Sequence, residues 1–186
     1  MWNSFCKLKY MSKEFLFLLV ILFVSCTANL NEQLNTVSEL EFELLSLESS
    51  YNTVDQQKVG DAISEYKHNM SQIKKYYYTD TVEKEFVQLM NAYKGIKKGG
   101  KGLSNQAENI NANLTTMKQQ LNYLKSDLEN QLIMEDSALL FISNEERNLS
   151  LLKESITSYI LDCDAILTLD DSLSFKVRSL INSYSE

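Results

Sequence analysis

The residues best suited to nucleophilic chemistry are three cysteines, Cys6, Cys26 and Cys163, and the single histidine, His68. Catalysis by a cysteine needs a base such as an imidazole beside the thiol. Most of the chain separates His68 from Cys163, and His68 falls just off the helical apolar pattern. Cys163 occupies an apolar position, where it is best interpreted as a small buried hydrophobic residue. We therefore expect no cysteine-based catalysis.

Four aspartates form an acidic group near the C-terminus: Asp162, Asp164, Asp170 and Asp171. Calcium loops place oxygen ligands at alternating positions around a glycine turn, a pattern that is missing from this segment. The sequence also lacks a glycine-rich phosphate loop and paired histidines. We interpret the aspartates as a solvated helix face, and we expect no enzymatic activity, no metal, no cofactor and no small-molecule substrate.

The N-terminus carries the most specific pattern in the chain. Three lysines precede an uninterrupted apolar run over residues 15–24: Lys7, Lys9 and Lys13. A run of ten apolar residues is too short to span a bilayer as a helix, which takes about 20. A basic start, a short apolar core and a small residue before the cut are typical of a secretory signal peptide. We predict that residues 1–25 are a signal peptide, with Met11 as an alternative start.

The run Leu22-Phe23-Val24-Ser25-Cys26 resembles the lipobox of bacterial lipoproteins. In that family signal peptidase II cuts before the cysteine, whose thiol carries diacylglycerol. Phe23 departs from the usual leucine, a looseness associated with lipoproteins of Bacteroidota and spirochaetes. The resemblance implies a palmitate-bearing lipid anchor at Cys26, with residues 26–36 as attachment site and tether. The alternatives are an uncleaved membrane anchor and an ordinary signal peptide with a chance cysteine.

Cleavage changes the charge of the chain, which has 18 basic and 25 acidic residues. Residues 1–25 contain three lysines and one glutamate, so their removal leaves 15 basic and 24 acidic residues, a net charge of −9. Nucleic acids and anionic lipid headgroups select basic surfaces. We therefore expect no nucleic-acid partner, and membrane contact through the lipid anchor instead.

Three tripeptides resemble the O-glycosylation sequon of exported Bacteroidota proteins: Asp80-Thr81-Val82, Asp136-Ser137-Ala138 and Asp171-Ser172-Leu173. The resemblance implies modification at Thr81, Ser137 and Ser172. Asp followed by Ser or Thr is also common at helix starts, where both side chains accept hydrogen bonds from free amides. Helix capping therefore explains the same residues, and the two interpretations are compatible.

Helical periodicity dominates the remaining chain. One heptad register runs from Leu103 to Tyr184, and 20 of its 24 seam positions are apolar. A composition that is 44% hydrophobic would supply about ten by chance. Proline is absent, so helices can run long. The seam predicts one long C-terminal helix that buries its stripe against partner helices. Three acidic residues interrupt the seam and could mark bends: Glu135, Glu145 and Asp170.

The preceding residues give shorter helical runs. A shift in apolar register near Asp55 indicates a stutter or a turn. Lysines followed by the glycines of residues 99–102 are typical of a helix end, and we place the chain reversal there. Residues 82–96 would then lie antiparallel to 105–119. The prediction is all-α, an antiparallel coiled-coil-like helical hairpin or bundle, with residues 37–184 as a single domain.

These patterns favour a structural or adaptor component of the bacterial cell envelope. We expect it to bind a protein partner or to form a homo-oligomer. The chain beyond the signal peptide resembles small helical Bacteroidota envelope lipoproteins of unknown function in its general character, without a shared motif. Residues 27–31 lack the acidic residues that surface lipoproteins of that phylum usually carry after the cysteine. We therefore expect attachment to the outer membrane on its periplasmic side. The alternative is a surface-exposed lipoprotein that binds a ligand or a host molecule.

Overall fold

The structure, a computed structural model, describes residues 30–78 and 83–185. These residues form five helices and no strand, which confirms the all-α class. The helices are α1 (30–52), α2 (Gln56–Tyr76), α3 (Lys84–Gly99), α4 (Leu103–Glu129) and α5 (Glu135–Ser185). Within the described ranges, none of the helices is both long and apolar enough to cross a bilayer.

The described chain divides into two compact units. The first contains residues 30–44 and 116–149, and the second contains residues 45–115 and 150–185. Both have cores built from the predicted apolar positions, because heptad spacing places these side chains on one face of each helix. In the first unit the buried residues include Val37, Leu40, Leu44, Leu121, Leu128, Ala138 and Ile142. In the second they include Tyr51, Val59, Tyr93, Ile110, Ile156, Cys163, Ile166 and Val177.

In the first unit a turn interrupts the expected continuous helix between Leu103 and Tyr184. The amide of Gln131 donates to the Leu128 carbonyl at 3.1 Å, and the amide of Leu132 donates to the Asp127 carbonyl at 2.9 Å. This pair of bonds is the Schellman arrangement, which ends a helix with one residue in the left-handed conformation. Gln131 supplies that residue, with φ of 54°. The C-terminal half therefore consists of two helices, and α5 alone is the long one.

The second unit places α2 antiparallel to α3. The rings of Tyr66 and Tyr93 are 5.0 Å apart, and nearer the connection Tyr77 stacks on Phe86 at 3.9 Å. At the other end of the pair, a Cβ on Gly100 would lie 2.9 Å from the Cδ1 atom of Ile63. The chain therefore reverses between α2 and α3.

The predicted reversal at residues 99–102 is wrong, because α3 and α4 both run antiparallel to α5. Ile166 of α5 lies against Gly99, because a Cβ added to Gly99 would be 3.1 Å from the Cγ1 atom of Ile166. At an earlier position of α5, the carbonyl of Ser155 accepts a hydrogen bond from Nε2 of Gln106 in α4 at 3.3 Å. The chain passes from α3 to α4 without turning back, and residues 82–96 do not pair with 105–119.

The glycine cluster ends α3, as predicted, but it does not reverse the chain. Gly100 keeps ordinary right-handed angles, φ −73° and ψ −7°, while Gly102 has φ of 81°. Gly99 and Gly100 have no side chain where Ile166 and Ile63 approach the backbone. The cluster thus lets α3 end close to its neighbours, and Gly102 adopts the left-handed conformation that glycine favours just before α4 begins.

The shift in register near Asp55 is a turn between α1 and α2. Asp55 is the N-cap residue of α2, and its Oδ1 atom accepts a hydrogen bond from the Lys58 amide at 2.9 Å. The carboxylate satisfies one of the amides that a helix start leaves without an intrahelical partner. Of the two interpretations open from the sequence, the turn is the correct one.

Candidate partner-binding groove

A groove of about 890 Å³ lies between α2 and α3. Its apolar floor is formed by Ile63, Tyr66 and Met70. Its other side chains are mainly lysines, contributed by both helices: Lys67, Lys74, Lys94, Lys97, Lys98 and Lys101. Among the residues that the structure describes, none of those lining the groove is acidic. The groove therefore combines an apolar base with a concentration of positive charge.

Helical spacing explains why the lysines of α3 share one surface. Lys97 and Lys98 lie three and four residues after Lys94, and Lys101 follows in the turn after α3. Side chains at this spacing lie on one face of a helix. The same helix buries Met90, Tyr93 and Ile96 on its inner face. The lysines that follow these buried residues therefore lie at the edge between core and solvent.

On α2 the equivalent positions are Lys67 and Lys74, seven residues apart. Tyr66 and Ile73 immediately precede them and are buried. Each lysine therefore stands beside a core residue, with a long apolar stem that can lie along the groove and an ammonium group that reaches water. The two walls of the groove carry the same chemistry because both helices repeat the same arrangement.

The groove lysines have no carboxylate partner among residues 30–78 and 83–185. Two ion pairs of the second unit lie elsewhere: Lys58 Nζ is 3.8 Å from Asp171 Oδ1, and Arg178 Nε is 3.4 Å from Glu65 Oε1. Because exposed charges are screened over about 8–10 Å in physiological salt, the local charge determines what this surface attracts. A net charge of −7 for the whole chain does not describe the groove.

A buried polar network holds the two walls against α5. Asn69 Nδ2 donates to the hydroxyl of Tyr93 at 2.9 Å. That hydroxyl lies 3.3 Å from Ser174 Oγ, which in turn donates to Asp170. Asp170 interrupts the apolar seam, and this hydrogen bond explains its presence there. The network joins α2, α3 and α5, so α5 holds the two helices that form the groove walls on the side opposite the groove opening.

A second polar cluster surrounds the hydroxyl of Tyr51. It donates to the Ala107 carbonyl at 3.4 Å and accepts hydrogen bonds from Gln56 Nε2 at 2.9 Å and Asn111 Nδ2 at 3.1 Å. The ring of Tyr51 lies 5.4 Å from that of Tyr159. In the described residues, no buried side-chain nitrogen or oxygen lacks a hydrogen-bond partner. The hydroxyl of Tyr51 is therefore held by hydrogen bonds to α2 and α4.

Cys163 lies in the core beside Tyr159 and is fully buried. Burial raises the pKa of the Cys163 thiol, and burial also raises the pKa of Tyr159. The reactive species of a cysteine is the thiolate, so this environment disfavours reactivity. His68 is exposed on α2. Across the residues the structure describes, no group of three or more His, Cys, Asp or Glu side chains could hold a metal ion.

The residues predicted to carry modifications fall in different settings. Cys26 and Thr81 lie outside the described residues. Ser137 is half-buried in the first turn of α5. Ser172 is exposed but lies within α5, where its hydroxyl donates to the Thr168 carbonyl at 2.6 Å. Lipidation and glycosylation therefore stay predictions from the sequence.

Comparison with protein-family models, with curated proteins and with solved structures finds no match to this chain. The groove between α2 and α3 was not among the sequence predictions. Sequence reasoning missed it because it explained the lysines near residue 98 as stabilisers of a helix end and summed charge over the whole chain. The available signal was the helical spacing of the lysines on α2 and near the end of α3, and only the tertiary pairing of the two helices brings these lysines onto one surface.

Proposed function

We propose that the mature chain is a lipid-anchored adaptor or structural protein of the bacterial cell envelope, which acts by binding rather than by catalysis. It is attached through Cys26 to the outer membrane and faces the periplasm. The observation that carries the binding role is the lysine-lined groove between α2 and α3. The observation that carries the location is the lipobox-like run that ends at Cys26.

The character of the described polar groups supports a binding role. Enzymes bring a nucleophile, an acid or base and a stabilising donor together around one open site. Here the convergent polar side chains are buried and bonded to one another, as in the network of Asn69, Tyr93 and Ser174. The groove presents charge and apolar surface, which together recognise a partner but supply no base beside a nucleophile.

The anchor is tested by metabolic labelling with palmitate. Cys26→Ala should abolish incorporation and leave an uncleaved precursor, because the attachment thiol is gone. Cys6→Ala is the matched control and should leave labelling unchanged, since Cys6 belongs to the segment predicted to be removed. Undiminished labelling of Cys26→Ala would contradict the proposed anchor.

The side of the membrane is tested by adding protease to intact cells and then to cells with a permeabilised outer membrane. A periplasmic protein should be degraded only after permeabilisation. Degradation in intact cells would instead favour a surface-exposed, ligand-binding lipoprotein. Crosslinking in native membranes, followed by purification of the crosslinked species, would then show whether the chain assembles with another protein or with itself.

A further inference from the structure

We propose that the groove between α2 and α3 receives an acidic amphipathic helix of a partner protein. The inference rests on the proposed adaptor function and specifies the chemistry of the partner that the adaptor binds. It follows from the shape of the groove, from the placement of charge on both walls and from the apolar floor between them.

The shape of the groove suits a helix. Its floor and one wall follow α2 from Ile63 to Lys74, a span of about 17 Å at 1.5 Å per residue, or roughly three helical turns. The opposite wall is antiparallel α3. Two packed helices leave a groove between them into which the side chains of a third can interdigitate. An amphipathic helix laid in an apolar groove is a recurrent mode of recognition.

Charge specifies which amphipathic helix fits. The walls provide Lys67 and Lys74 on one side and Lys94, Lys97 and Lys98 on the other, and no carboxylate in the described ranges lines the groove. A helix with apolar residues along one stripe and glutamates on both flanks would pair with both walls at once. Such complementarity raises association rates and excludes partners of like charge.

The apolar floor favours this occupant over a purely ionic one. A polyanion such as a nucleic acid would pair with the lysines but leave Ile63 and Met70 without an apolar partner. A flat lipid headgroup surface would contact the rims of the groove without filling it. An acidic amphipathic helix satisfies the lysines and buries the floor in the same contact.

A synthetic peptide provides a direct test. It would have 18 residues with leucines in the i, i+3, i+4, i+7 pattern and glutamates on both flanks, and its matched control would carry glutamine at every glutamate. Binding to the full chain, purified in a nonionic detergent, would be followed by fluorescence anisotropy at low and high salt. We expect one peptide to bind per chain, with affinity that falls about tenfold or more as salt rises, because exposed ion pairs are screened. The glutamine peptide should bind at least tenfold more weakly.

Variants locate the contact. The double substitution Lys97→Gln and Lys98→Gln should weaken binding of the acidic peptide by about tenfold or more, since it removes two positive charges from one wall. Lys176→Gln is the matched control, because Lys176 is exposed on α5 and does not line the groove. It should bind as the unsubstituted chain does. Circular dichroism would check that all the proteins are equally helical.

Four results would overturn the proposal: no binding of the acidic peptide, equal binding of the glutamine peptide, equal binding by the double variant, or a different lysine-dependent occupant. Sedimentation with phosphatidylglycerol vesicles, lost in the double variant while the peptide fails to bind, would identify a membrane surface. Self-association lost in the double variant would identify a second copy. Each of these results is compatible with palmitate labelling of Cys26. The proposed groove partner can therefore be contradicted while the proposed lipid anchor is supported.

Discussion

The hydroxyls of Tyr93 and Ser174 lie 3.3 Å apart in the core of the second unit and join α3 to α5. Tyr93 of α3 thus contacts α5 near its C-terminal end, whereas Gln106, later in the chain, bonds to Ser155 at an earlier position of α5. The two contacts together show that α3 runs antiparallel to α5. The contact between Tyr93 and Ser174 also connects the back of the lysine groove to the long helix through Asn69.

Tyr93→Phe should lower the free energy of unfolding by about 1–2 kcal/mol, because it removes one hydroxyl from a buried network while the ring still fills its space. Chemical denaturation would measure the loss. Tyr123→Phe is the control, since Tyr123 is 66% exposed on α4 and its hydroxyl should contribute little. Equal stability of the two variants would show that the network does not hold the bundle together.

Charges placed on the apolar seam should be strongly destabilising. Leu121 and Ile156 are both buried, at 0% and 1% exposure. Replacing either with aspartate should cost several kcal/mol, on the order of 3–5, because the carboxylate is buried without a partner. Gln119→Asp and Ser158→Asp place the same charge at exposed positions of the same helices and should change the melting temperature little. A uniform response in all four variants would mean that the seam is not the core.

Gln131→Gly should stabilise the chain by about 0.5–1 kcal/mol. A non-glycine residue pays about 1–2 kcal/mol to adopt the left-handed conformation, and part of the gain is offset by the greater flexibility of glycine in the unfolded chain. Glu129→Gly, two residues earlier and still helical, should instead cost about 1 kcal/mol. Denaturant midpoints of the two variants should therefore move in opposite directions, and a shift in the same direction would argue against the turn at Gln131.

Cys163 should resist alkylation in the folded protein. Its thiol is buried and burial raises its pKa, so both access and the thiolate fraction are reduced at pH 8. Iodoacetamide labelling followed by peptide mass spectrometry should show slow modification that accelerates on unfolding. Ser172→Cys provides an exposed thiol on the same helix and should label rapidly. Comparable rates for both thiols in the native protein would contradict the buried position.

Much of the fold is predictable from local sequence. Heptad spacing identifies the buried faces of α4 and α5, and the shift in apolar register near Asp55 indicates a stutter or a turn, of which the structure shows the turn. The turn after Glu129 is not predictable, because the apolar register continues across it. Leu128 and Ala138 are ten residues apart, which equals three heptad steps of three, four and three residues. The left-handed position is also filled by Gln131, so the usual glycine signal is absent.

Helix direction and the groove depend on tertiary contacts. Glycines mark the end of α3 correctly, but a helix end does not specify whether the next helix turns back or continues. Here the close approach of Ile63 and Ile166 to Gly100 and Gly99 explains the glycines without a reversal. The lysines of α2 and α3 form one surface only because these two helices pair, which neither helical pattern contains by itself.

The distance between the two walls of the groove shows directly whether α2 and α3 pair. Spin labels at Lys67 and Lys97, in the full chain with its three native cysteines replaced by alanine, would be read by electron paramagnetic resonance. Antiparallel packing of α2 and α3 predicts neighbouring helix axes about 8–10 Å apart and a backbone separation within about 15 Å. If the chain did not reverse between these helices, 30 residues of helical rise would separate the labels by roughly 45 Å, and that result would contradict both the fold and the groove.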